Sequence, residues 1–244
     1  MHNGAAPGNG CFRPKVVFNR STRLYVMWLN TPDGYRVLTS PEPTGPFAVA
    51  AKPNLSDAAI PDWRGKPNAL DGDEGLFLDR TGVAWLVWSR SGRLLEERLD
   101  STYTTGSGRP IGVGGFPQLE PWQGAEAPSM FEHGGHYFIA MSLPRCPYCT
   151  ATGTAIERAS SPGGPWSYDG VVSWDSCGGQ PNEVDVVGPG SLLWSSDQWS
   201  RSASAGVYPK LNETLATQAW EPLEFEESGH VKPIVCSRRF TIQA

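Results

Sequence analysis

Glu74-Gly-Leu-Phe77-Leu-Asp-Arg-Thr-Gly82-Val-Ala-Trp85-Leu-Val-Trp88 reads as a short apolar strand, a tight polar turn with a glycine, and a strand alternating aromatic and aliphatic residues. That order is a β-hairpin signature. It recurs along the chain. Pro14-Lys-Val-Val-Phe18 returns through Asn-Arg-Ser-Thr-Arg into Leu24-Tyr25-Val-Met-Trp28, and Ala127-Pro-Ser-Met-Phe131 returns through Glu-His-Gly-Gly into His136-Tyr137-Phe-Ile-Ala-Met141. A weaker copy runs Val184-Asp-Val-Val187-Gly-Pro-Gly-Ser-Leu-Leu-Trp194. The anchors Phe18, Phe77, Phe131 and Val187 lie 59, 54 and 56 residues apart. A hairpin repeating at a period near ~50 residues predicts an all-β fold, a β-propeller whose blades are four-stranded when complete. Outer strands are expected at Tyr35-Arg-Val-Leu-Thr39 and Gly153-Thr-Ala-Ile-Glu-Arg-Ala159, each followed by a Gly-Pro-aromatic turn (Gly45-Pro46-Phe47 and Gly164-Pro165-Trp166). The competing architecture is a β-sandwich with coincidental hairpins. The repeated order of signals favours the propeller.

Composition agrees. Charged residues are 18% of the 244, whereas roughly a quarter is usual, and aromatics reach 11% with ten Trp. With Gly 28 and Pro 22, turn formers are abundant. Few charges, many turns and many aromatics argue against helical bundles and coiled coils. The net charge of −5 would repel a phosphate backbone, so nucleic acid is not an expected partner. No apolar run approaches the ~18 residues of a membrane helix, so no membrane partner is expected either. Met1–Gly10 has no basic or apolar segment resembling a signal peptide and is expected to be disordered. Residues 11–244 are read as one domain and the protein as a monomer.

Five cysteines leave at least one unpaired within the chain. Cys146-Pro-Tyr-Cys149 has redox-motif spacing but no βαβ pattern around it and no zinc partners. A loop disulfide at this pair is the favoured reading, with Cys177 as one candidate partner. Sequons at Asn19, Asn54 and Asn212 hint at a secretory route. His133 and His136 flank a hairpin tip and are expected to be solvated, so no metal and no cofactor is expected.

Blade inner strands converge on one end of a central channel, so chemistry should sit just before each hairpin. Asp73 lies four residues before Phe77, and Glu126 five before Phe131. Carboxylates at matching places in successive blades suit acid–base work on a glycosidic bond. The alternative is that both are turn residues, a stronger case for Asp73 in its Asp/Gly-rich run than for Glu126 beside Pro. Trp28, Trp85 and Trp88 belong to core strands. Trp63, Trp122, Trp174 and Trp199 lie in loops, and an indole there can stack on a sugar.

The run Arg13-Pro14-Lys15-Val16-Val17-Phe18-Asn19 with Tyr25-Val26-Met27-Trp28 resembles a second blade of family 43 glycoside hydrolases, in particular the exo-β-1,3-galactanase subfamily. The Pro43-Thr-Gly-Pro46-Phe47 turn and the Asp73-x-Gly-Leu-Phe-x-Asp and Glu126-Ala-Pro-x-Met-Phe blocks follow in the family's order. So do Gly164-Pro-Trp166, Cys177-Gly-Gly-Gln180, Ser196-Asp-Gln-Trp199 and Trp220-Glu-Pro-Leu-Glu-Phe225. The resemblance implies a five-bladed β-propeller, from which most of the first blade is missing in this chain, and an extracellular protein. It implies hydrolysis of β-galactosidic linkages in an oligosaccharide or polysaccharide, with inversion. Glu126 matches the general acid, and Asp73 the carboxylate that tunes and orients it. Gln180 matches a glutamine that holds the attacking water, although a neutral amide is a poor base. Its alternative reading is a loop amide bonding backbone. Arg13, Trp122, Trp174 and Trp199 are the candidate substrate contacts. Two departures stand out: Phe12 occupies a place usually acidic, and Ser142–Cys149 differs from the usual Ser-Gly-Cys-Thr-Gly-Trp loop. The rival readings are a carbohydrate-binding pseudoenzyme of the same fold and a related arabinosidase or xylosidase.

Overall fold

A computed structural model describes residues 11–31, 34–55, 71–90, 93–113, 125–143, 152–198, 216–237 and 239–241. The expected disordered segment 1–10, together with Trp63, Trp122, Trp199, Cys146, Cys149 and Asn212, lies outside them. Four antiparallel meanders form the blades of a β-propeller. Blade I holds β1 (Phe12–Asn19), β2 (Leu24–Asn30), β3 (Arg36–Ser40) and β4 (Ala48–Ala51). Blade II holds β5 (Asp71–Leu78), β6 (Ala84–Arg90), β7 (Arg93–Arg98) and β8 (Ile111–Gly112). Blade III holds β9 (Ser129–His133), β10 (His136–Ser142), β11 (Thr154–Ala159) and β12 (Ser167–Ser173). Blade IV holds β13 (Gln180–Gly188), β14 (Ser191–Gln198) and β15 (Thr217–Leu223). No α-helix occurs among the described residues, and one 3₁₀ turn, Ser176–Gly178, precedes β13.

The hairpin anchors set the register. Phe18 stands opposite Tyr25, Phe77 opposite Trp85, and Phe131 opposite Phe138. The Phe18–Tyr25 and Phe131–Phe138 rings lie 4.8 and 5.2 Å apart. Aromatic cross-strand pairs hold such a register because a one-residue slip would turn every buried side chain outward.

Apolar cores lie between blades. Val26, Trp28 and Val37 of blade I pack with Leu86, Trp88 and Leu95 of blade II. Val87 and Leu94 of blade II meet Ile139, Met141 and Ala155 of blade III. Phe138, Ala140 and Ile156 of blade III meet Val184, Leu192 and Trp194 of blade IV. Burying each of these large side chains contributes about 1.5–3 kcal/mol. Buried polar atoms stitch the same seams: Trp28 Nε1 donates to Tyr103 O at 2.7 Å, and Trp166 Nε1 to Glu96 Oε2 at 2.7 Å.

The other face of blade I differs. Val16, Met27, Leu38 and Val49 form one cross-strand row on it. Met27 and Leu38 are buried, whereas Val16 and Val49 are 43% and 44% exposed and nearby Phe18 is 38% exposed. No apolar cluster of described residues joins blade IV to blade I.

Three residues that the sequence reading singled out take definite places in the fold. Cys177 is bonded to Cys236, which pins the C-terminal segment onto blade IV, and Cys11 is a free exposed thiol. The pairing joins residues 59 apart, which loop proximity could not suggest. Asn19 is no glycan acceptor in the folded protein: it is fully buried, its amide donating to Ser101 O at 2.8 Å and its Oδ1 accepting from the Ser21 and Thr22 amides. His133 is half-buried rather than solvated, stacked 3.7 Å over Phe225.

Blades II and III approach closely at Gly75. A Cβ there would lie 2.3 Å from the Pro128 carbonyl oxygen, a clash that only backbone movement can relieve. Gly75→Ala is expected to cost about 1–3 kcal/mol in denaturant unfolding, as overpacking does. Gly112→Ala, with open space around it, is the control that should change little.

Candidate active site

The starts of the inner strands share one end of the propeller, and local backbone distortions aim their side chains at its axis. β1, β5 and β13 each carry a register shift near that end, between Phe12 and Lys15, Asp71 and Glu74, and Pro181 and Val184. Bulges re-aim side chains and are common beside functional sites. Arg13 (φ 46°), Ala127 (φ 53°), Ser176 (φ 45°) and Cys177 (φ 56°) adopt the left-handed region that costs a non-glycine residue energy. They flank or include the sequence-predicted residues Arg13, Glu126 and Gln180.

Glu126 is anchored through its backbone. Its N–H donates to Ser142 Oγ at 3.0 Å, and its carbonyl accepts from the Ser142 N–H at 2.8 Å and the Ser142 hydroxyl at 3.1 Å. The left-handed Ala127 then turns the chain away. Burial, then the charge of Asp73, push the half-buried Glu126 carboxyl up to about 7, against a smaller downward pull from Arg13. Asp73 thus acts on Glu126 electrostatically. Asp73 Oδ2 lies 2.8 Å from Arg13 Nε.

Arg13 also reaches blade IV. Its Nη1 donates to Asn182 Oδ1 at 2.9 Å and its Nη2 to Pro181 O at 3.5 Å, and Nη2 lies 3.8 Å from Asp197 Oδ2. Asp197 is the cross-strand partner of Gln180, and its Oδ1 accepts from Asn182 and Gln218, each at 3.2 Å. Gln180 is buried at the start of β13. The 3₁₀ turn before it is held by Thr154 Oγ1 against Ser176 Oγ at 2.7 Å, Ser196 Oγ to Ser176 O at 2.8 Å, and the Cys177–Cys236 bond. Asp73, Arg13 and the strand carrying Gln180 thus share one cluster.

Beneath the cluster lie groups that sequence reading passed over. Glu74 is fully buried, with no hydrogen-bond partner on either carboxyl oxygen among the described residues. Burial, then the charge of Asp73, push its carboxyl well above the usual carboxylate range. Lys15 pairs with Glu183, which also accepts from the Ser129 hydroxyl at 2.5 Å. Burial, then Arg13, push Lys15 down to about 8. Arg13 and Lys15 reach the axis from either side of the register shift in β1, an irregularity that strand periodicity in the sequence does not announce. Their acidic partners came from other blades and were not legible there. Below this pair an open cleft of about 770 Å³ lies at the hairpin-tip end of the channel, lined by Lys15, Leu76, Arg80, Phe131, Glu183 and Val186 among others.

Trp174 stands 78% exposed between β12 and the 3₁₀ turn. Trp122 and Trp199 lie outside the described residues. Among the described residues no group of three or more His, Cys, Asp or Glu could hold a metal ion.

The sequence profile of the glycosyl hydrolases of family 43 matches residues 18–216. The chain belongs to this family. By sequence, no curated protein matches significantly. Among solved structures, the family 43 chain is similar to an exo-β-1,3-galactanase from Clostridium thermocellum (22% identity, TM-score 0.71, covering 93% of this chain and 50% of that one). It is similar to an exo-β-1,3-galactanase from Phanerochaete chrysosporium crystallised with β-1,3-galactotriose (24% identity, TM-score 0.71, covering 96% and 51%). An α-L-arabinofuranosidase from Clostridium thermocellum has the same fold (16% identity, TM-score 0.67, covering 93% and 73%). This family 43 chain spans about half the length of the two galactanases.

The Glu126 geometry has a consequence for stability. An acid whose folded pKa is raised contributes stability that is fully present below its unfolded value, near 4.3, and is lost as pH rises through the folded value of about 7. Glu126→Gln removes that loss. Its melting temperature is expected to match the parent's near pH 4 and to exceed it at pH 8. Equal melting at both pH values would mean that Glu126 is not held protonated.

Proposed function

We propose that this chain hydrolyses β-1,3-galactosidic linkages of galactan with inversion, with Glu126 as general acid. The observation that carries this reading is the half-buried Glu126 carboxyl, which keeps its proton to about pH 7 beside Asp73. A general acid must hold a proton at working pH and release it as the leaving oxygen gains charge. Asp73 raises and orients that acid. Gln180 holds the attacking water by its side-chain amide, and Trp174 offers an indole face to a sugar ring. The substrate assignment rests on the similarity to galactanases rather than on contacts in this chain.

We further propose that the propeller is five-bladed in its working form, the additional blade lying against blade I. The exposed Val16, Phe18 and Val49 support this, because a closed propeller covers both faces of each blade. Trp220 and Phe240 at blade IV are likewise 40% and 39% exposed. The protein is expected to act as an extracellular monomer.

The test is incubation of the chain, and of a version extended at its N-terminus by a blade, with β-1,3-galactan, arabinoxylan and arabinan. Galactose release from galactan supports the reading. Release from arabinan or arabinoxylan alone selects the arabinosidase or xylosidase reading instead. Binding of galactan without hydrolysis by either version selects a pseudoenzyme, for which Phe12 in a usually acidic place is the motive. In an active protein Glu126→Gln is expected to lower turnover about 10²–10⁴-fold, with binding nearly unchanged. Activity of the parent should fall as pH rises through about 7. A Glu126→Gln protein that keeps the parent rate excludes Glu126 as the acid.

A further inference from the structure

We infer that Arg13 is the positioning residue of this site: one edge of its guanidinium holds Asp73 of blade II, and the other holds Asn182, Pro181 and Asp197 of blade IV. The clamp keeps the carboxylate beside the acid and the strand bearing Gln180 in one frame. Its catalytic meaning rests on the reading of Glu126 and Gln180 above, but the clamp itself is a matter of geometry.

Four observations carry it. The Arg13 side chain is 8% exposed, and each of its three nitrogens has a protein acceptor within 2.8–3.5 Å, so its fork is occupied without a sugar. Its left-handed backbone, at a register shift in β1, turns it to the axis instead of along the alternation of the strand. Blade I and blade IV share no apolar core among the described residues, and there Arg13 and Lys15 tie the two blades together at the axis. Asp197 and Asn182 lie respectively opposite Gln180 and two residues after it, so a pull on either moves the Gln180 backbone.

The planar fork matters as much as the charge. Arginine presents fixed N–H donors to two partners at once, whereas lysine offers a point charge. Around Arg13 stand Asp73 and Glu74 from β5, Asp197 from β14 and Lys15 from its own strand. Burial works against the guanidinium charge, yet Asp73, Asp197 and Glu74 together keep it above its usual range. Arg13 in turn pulls Glu126 downward while Asp73 pushes it up.

The experiment uses Arg13→Met and Arg13→Lys in the full chain. Glu126 is followed by ¹³C carboxyl titration, assigned with Glu126→Gln, and the Gln180 and Asn182 side-chain amides by their ¹⁵N resonances. Arg13→Met should move the Glu126 midpoint upward, whereas Arg13→Lys should leave it near the parent's. Both should shift the two amides. With β-1,3-galactan, both should lower kcat about 10²-fold with KM nearly constant, the scale of a misplaced catalytic group. A raised KM with unchanged kcat, unmoved amides and an unmoved Glu126 midpoint would make Arg13 a sugar contact and overturn the clamp. If Arg13→Met does not fold, Arg13→Lys decides through the amides: unmoved resonances overturn the clamp. A parent that does not cleave galactan defeats the galactanase reading and leaves both titration and amide readouts to decide the clamp.

Discussion

The ion pair between Arg13 and Asp73, 2.8 Å across and nearly closed to solvent, is where three of the four blades meet. Such a pair is no large source of net stability, because both charges surrender hydration. Its value is directional. A guanidinium in this position accepts few alternative arrangements of its partners, and those partners begin the inner strands of blades II and IV. Removing one member would leave a charge buried in the channel, so the geometry of the axis and the folding of the blades are linked.

Around this pair the propeller separates tasks. The seams between blades are apolar and carry the burial: Trp28, Trp88, Trp194 and Phe138 are all almost completely enclosed. The axis is polar and gathers Arg13, Asp73, Asn182 and Asp197. Close approach makes the separation sharp. Gly75 admits the Pro128 carbonyl where any side chain would exclude it, and Asp73, two residues before Gly75, raises Glu126, two residues before Pro128. A second buried acid, Glu74, lies directly behind Asp73 without a hydrogen-bond partner among the described residues. The same burial that holds a proton on Glu126 makes the folded protein less tolerant of alkaline conditions.

Blade IV depends on long-range covalent help. Its described part has three strands, and the turn that delivers Gln180 contains two consecutive left-handed residues, Ser176 and Cys177. The Cys177–Cys236 bond holds that turn against the C-terminal segment, where Ile234 N–H also donates to Val172 O at 2.7 Å. A strained turn persists only when its surroundings over-determine it. Here a disulfide, the Ser196 and Gln198 side chains and the Thr154 hydroxyl do so together.

The order of the hairpins and their propeller arrangement were legible in the amino-acid sequence, because a β-hairpin is local: a strand, its turn and its partner lie within about 15–20 residues. The positions of Asp73 and Glu126 before their hairpins were legible for the same reason, as repeat-equivalent places. The neighbours of those residues were not. The acceptors of Arg13 stand about 170 positions away in Asn182 and Pro181, Cys177 found Cys236 rather than a nearer cysteine, and Asn19 of a sequon proved to be a buried structural amide. Sequence periodicity states which face of a strand a residue occupies, but not which distant strand arrives opposite it. Sequence alone determined the repeating hairpins and put the acids at their mouths. Only the tertiary structure decided which charges meet at the axis, because the curvature and close packing of whole blades set those distances.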